Sequence, residues 1–175
     1  MRTNRLMPST DRAASPRPLV AVALAVSLLQ VIPHAQAAFG VTEIADYRLD
    51  PLTFAQFTRA SHLIAAATRA DVRFDREPLF TRDILLSDDV LAAAIALEAR
   101  LRAEPALAGA FFAADMTPHE YTKFTLALVA ARLAHGFVVS GVLRRVPPGV
   151  HADNVTFVGA HLADVVAVLK EMGVD

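Results

Sequence analysis

The sequence predicts an all-α protein: a four-helix bundle or a small irregular helical array that follows an N-terminal signal peptide. Three observations predict it. Apolar residues recur at helical spacing in four separate segments, Asp50-Pro51 and Thr117-Pro118 stand where helices would begin, and 34 of the 175 residues are alanine. With 54% hydrophobic and 20% charged residues and a mean hydropathy of +0.40, a wholly disordered chain is excluded.

The first 37 residues have the layout of an export signal. Arg2, Arg5, Arg12 and Arg17 precede an apolar run from Leu19 to Ile32, closed by Pro33 and followed by Ala35-Gln36-Ala37. As a helix this run would be about 21 Å long, short of a hydrocarbon core of about 30 Å. Small side chains at Ala35 and Ala37 suit a signal peptidase, so cleavage is placed after Ala37, with Ala38 first in the mature chain. An uncleaved signal anchor is the alternative. No Arg-Arg pair precedes the run, which favours Sec-type export, and no cysteine follows it to carry a lipid anchor. Residues 38–49 then form an N-terminal extension and 50–175 the helical domain, periplasmic or secreted from a bacterium, with no stable membrane span after cleavage.

The first predicted helix is announced by Asp50, a cap acceptor, with Pro51 at its first position, and runs to about Ala70. Phe54, Phe57, Ala60, Ile64 and Ala67 share one stripe, while Arg59, His62 and Arg69 face away. Asp71 to Leu86 lacks a helical period and reads as a loop. The second helix starts at Ser87, whose hydroxyl caps a first turn carrying Asp88 and Asp89. Val90, Ala94, Leu97 and Leu101 line its buried face, and Pro105 opens a continuation carrying Leu107 and Phe111 that ends near Asp115.

The third helix has the clearest start, a capping box in which Thr117 and Glu120 satisfy each other's backbone donors, with Pro118 at the first position. Tyr121, Phe124, Leu128, Ala131, His135 and Val138 form one stripe. Leu126, Val129 and Leu133 make the opposite face apolar too, so this helix should be central. Gly136 and Gly141 both suit its end. After the turn Val146-Pro147-Pro148-Gly149, a fourth helix runs from about Asn154 to Met172, capped by Asp153 or Asn154, with Val155, Val158, Leu162, Val165, Leu169 and Met172 on one face.

The absence of cysteine excludes disulfides, iron-sulfur clusters, thiolate zinc sites, a cysteine nucleophile and thioether-linked haem. A net charge of -1 gives no footprint for nucleic acid. Cleavage removes four of the 17 basic residues and one of the 18 acidic ones, leaving a mildly acidic chain. Ser61, Ser87 and Ser140 sit in no G-x-S-x-G setting, and Glu120 is explained by the cap, so no enzyme is predicted. Metal chemistry would fall to histidine. His135 should point inward, and His161 lies beside Phe157 with Asp164 three residues on, the pattern of an imidazole oriented by a carboxylate. Met116 or Met172 would be the thioether partner for haem iron. Against this, HxxxH, HExxH and the di-metal Glu-x-x-His are absent, and an inward histidine near a helix end ordinarily bonds a carbonyl. No cofactor is therefore assigned, and a His-based metal or haem carrier stands as the alternative.

Met116 to Tyr121, the apolar helix that follows, and Pro148-Gly149 with Asn154 to His161 together resemble a pattern in short exported bacterial helical proteins of uncharacterised function. The resemblance covers the chain from Tyr47 onward and implies export and a helical fold, with no activity or ligand to carry over. The function expected is non-covalent binding of a protein or a small ligand.

Overall fold

The computed structural model describes Phe39 and residues 41–174. The signal segment and its cleavage residues Ala35, Ala37 and Ala38 lie outside the described residues. The chain is all-α. Among the described residues there are nine helices and no strand: α1 (Val41–Ala45), α2 (Pro51–Arg69), α3 (Arg73–Arg76), α4 (Arg82–Leu85), α5 (Val90–Ala103), α6 (Pro105–Ala114), α7 (Pro118–Val139), α8 (Ala152–Ala160) and α9 (Leu162–Glu171).

Helix α2 forms as its sequence dictates. Asp50 Oδ1 accepts from the N–H groups of Leu52 and Thr53, both at 3.0 Å, so the first turn begins with its donors satisfied. Phe54, Phe57, Ala60 and Ile64 are buried, and Ala67 is half-buried. Phe57 stacks on Phe124 and Tyr121 of α7 at 4.6 and 4.8 Å. Full burial of a side chain of this size contributes roughly 1.5–3 kcal/mol. On the other face His62 is exposed and pairs with Glu171 of α9.

Four expectations from the sequence are corrected. The predicted loop 71–86 holds two single-turn helices, α3 and α4, and buries Leu79 and Leu85; turns this short leave too few residues to show a period. The cap of α5 is Asp89, not Ser87: its Oδ1 accepts from Ala92 N–H at 2.9 Å, while the Ser87 hydroxyl accepts from Asp89 N–H. The helix consequently starts later, and Val90 is 46% exposed. Residues 105–114 form a separate helix, because Glu104 is extended (ψ 99°) ahead of Pro105. Lastly, the predicted fourth helix breaks at His161 into α8 and α9, bent by 91°.

Helix α7 is central. Thr117 Oγ accepts from Glu120 N–H at 3.1 Å, and Tyr121, Phe124, Leu128 and Ala131 are wholly buried. It runs past Gly136 and ends where Gly141 adopts φ +75°, a conformation glycine takes without steric cost. Among the described helices α7 alone is long and apolar enough to cross a membrane. About half of its apolar surface is buried within the fold, against α1, α5 and α8, and its Phe124 stripe packs on α2.

Candidate functional site

Two features of α7 stand out: a polar chain at its start and an open groove along its second apolar face. The polar chain begins at His119. Its Nδ1 lies 2.9 Å from Glu98 of α5 and its Nε2 3.0 Å from Glu43 of α1. Phe39 stacks on the imidazole at 4.3 Å. Glu98 also accepts from Arg102 Nε at 2.6 Å. Lys123 joins Glu43 at 3.2 Å to Glu120 at 2.8 Å, and Glu120 Oε1 accepts from the Tyr47 hydroxyl at 2.5 Å. Glu120 thus turns toward Tyr47, and among the hydrogen bonds of the described residues none closes the reciprocal half of the predicted capping box.

Burial pushes the Tyr47 hydroxyl well above its ordinary range, and the Glu120 carboxylate pushes it further. For Lys123 burial disfavours the charge, but Glu120 and Glu43 outweigh it and raise the ammonium above its usual range. The chain ties α1, α5 and α7 together, and no buried side-chain nitrogen or oxygen among the described residues lacks a partner. The sequence carried one signal for it. Glu98 lies one turn beyond Ala94 on the apolar face of its helix, where a carboxylate requires a partner.

The groove is about 850 Å3 in volume. Its floor is a stripe of α7, Leu126, Ala130, Leu133 and Phe137, spaced by four, three and four residues, which is one face of a helix. One wall is the α4–α5 junction with Ile84, Leu86 and Val90; the other is the segment Gly149–His151 with Asn154. Leu86, Val90, Leu133 and Phe137 are each 43–48% exposed, so the groove presents apolar surface to solvent. Asp88 and Asp89 stand on the first wall.

The second wall is held by Asn154. This side chain, 3% exposed, accepts from Leu49 N–H at 2.9 Å through Oδ1 and donates to the Tyr47 carbonyl at 2.7 Å through Nδ2. The expected cap role of Asp153 or Asn154 is taken instead by His151, whose Nδ1 accepts from Asp153 N–H at 3.2 Å. Arg48 and Asp153 pair at 2.9 Å nearby, an exposed contact.

The histidines singled out as metal candidates are placed apart in role. His135 is half-buried and lies against Gly159 of α8. His161 sits at the α8–α9 corner, its ring 4.5 Å from Phe157 and 5.9 Å from Phe54. Asp164 is exposed, and among the described residues no hydrogen bond joins it to His161. Among the same residues no group of three His, Asp or Glu side chains is placed to hold a metal ion. Comparison of the chain with family models, curated proteins and solved structures yields no match.

Proposed function

We propose that this chain is an exported binding protein that takes a small apolar ligand non-covalently into the groove along α7. One observation carries the reading: a central helix with two apolar faces keeps one of them, Leu126 to Phe137, as the floor of an open groove of about 850 Å3. A volume of roughly 300–1,000 Å3 with mostly apolar walls and few polar groups is the usual form of a small-molecule site. Leaving such a face uncovered costs stability, a cost offset when a ligand covers it. The chemistry needed is binding alone; of the two acids on the wall, Asp89 is engaged in capping α5.

The test uses N-phenyl-1-naphthylamine, a neutral dye that fluoresces in apolar surroundings. It should bind the purified protein, and Ala130→Trp, which fills the floor from a half-buried position, should weaken it at least about tenfold, a loss of about 1.4 kcal/mol. Unchanged dye binding by Ala130→Trp would overturn the assignment. So would stoichiometric metal or haem in protein purified without chelator that is lost on His135→Ala or His161→Ala. Export is tested by cell fractionation and N-terminal sequencing, expected to begin at Ala38; a stable full-length product in the inner membrane would overturn that part.

A further inference from the structure

Beside the groove lies a second cavity, of about 690 Å3, whose chemistry differs in one respect. Its lining is apolar, from Phe80, Leu85 and Val129 to Val166 and Leu169, apart from glycine and two charged side chains, and both of these are arginines, Arg82 and Arg132. Among the described residues neither arginine enters an ion pair, although ion pairs tie down Arg48, Arg69, Arg73 and Arg102. Arg82 is exposed on α4 and Arg132 is half-buried on α7. The Arg132 guanidinium reaches toward the C-terminal end of the helix, with Nη1 3.2 Å from where a Cβ on Gly136 would stand, so the glycine leaves room for it. The two cavities abut: Leu85, Leu86 and Leu133 line both.

From this juxtaposition we infer that the site takes a long-chain fatty carboxylate, its head group between Arg82 and Arg132 and its acyl chain passing Leu86 and Leu133 into the larger groove. Guanidinium forks match the two oxygens of a carboxylate, and in a partly enclosed slot such a bond is stronger than in water. Charge also fixes the direction. Among the described residues the acidic ones lining the larger groove are Asp88 and Asp89, which disfavour a carboxylate there and leave its apolar floor to the chain. An alcohol of equal length lacks the charge the arginines answer, and a cationic amphiphile meets repulsion at the same place. The inference rests on the groove-binding reading above and adds the ligand class.

The experiment measures displacement of N-phenyl-1-naphthylamine from the full chain by palmitate, hexadecanol and hexadecyltrimethylammonium, each below its solubility or micellar limit. Palmitate should bind at least about tenfold more tightly than either of the others. Arg82→Gln with Arg132→Gln should bring palmitate to the level of hexadecanol while leaving dye binding and the melting temperature unchanged. If the dye binds but palmitate shows no preference over hexadecanol, or keeps its affinity in the double variant, the ligand class assigned here is wrong and the groove reading survives. If the dye itself does not bind, both fall.

Discussion

The imidazole of His135 lies across Gly159, with Nε2 3.1 Å and Cδ2 3.4 Å from the point where a Cβ on that residue would stand. Glycine here lets α8 approach α7 closely. A methyl group at that point would favour the helix by about 0.5–1 kcal/mol through reduced chain entropy, but only if the ring can retreat. Gly159→Ala should therefore gain little or nothing in the wild type and gain about 0.5–1 kcal/mol in a His135→Ala background. Urea unfolding of the four proteins checks it. Equal gains in both backgrounds would show that the ring does not set the helix approach.

Asn154 makes a second prediction. Asn154→Ala strips partners from a buried N–H at Leu49 and from the Tyr47 carbonyl, with a cost of about 1–3 kcal/mol for each group left unsatisfied. Asn154→Asp keeps the acceptor but sets a carboxylate against the Tyr47 carbonyl, and should not rescue. Denaturant midpoints should place both variants well below the wild type, and amide exchange should quicken at residues 44–49.

Leu128 is fully buried and Leu52 is 72% exposed, although both are leucines on long helices of the core. Leu128→Asp places an unpaired carboxylate in the core, at a cost of several kcal/mol, whereas Leu52→Asp changes little. Far-UV circular dichroism should show helix lost in the first and retained in the second. Similar melting temperatures would misplace the core.

The alkaline limit of stability follows from three groups whose affinity for protons is raised in the folded state. Tyr47 and Tyr121 are raised chiefly by burial; Lys123 is raised by Glu120 and Glu43 against the opposing effect of burial. Each holds its proton in the folded chain at a pH where the unfolded chain has released it. Stability is therefore intact below pH ~10 and falls as pH rises beyond it. Tyr47→Phe removes one of the three contributions, so its stability should decline less steeply between neutral and strongly alkaline pH. An identical slope would mean that the phenol does not hold its proton.

The elements that were legible in the sequence are those with long periods and side-chain caps. Asp50 and Thr117 announce α2 and α7, and the Phe54 and Phe124 stripes lie where their spacing puts them. What escaped is set by contacts between distant residues. Nothing local marks the bend at His161, because the apolar face continues through it; the break belongs to the tertiary fold, in which α8 packs on α7 and α9 on α2. His119 lies between the cap residues Thr117 and Glu120, and nothing in that stretch shows that it meets carboxylates from two other helices. The groove floor was visible as the second apolar face of α7, but whether another helix covers it is not written in that helix.

The bond from Leu49 to Asn154 spans 105 residues, and this separation has a consequence for the order in which the chain folds. Residues 41–49 cannot take their final place until α8 is there to receive them, whichever compartment the chain folds in. Closing so long a loop costs chain entropy that the local contacts of a helix do not. Until it closes, Ile44 and Leu49, both buried in the finished fold, stay open to solvent and to any chaperone that recognises apolar chain.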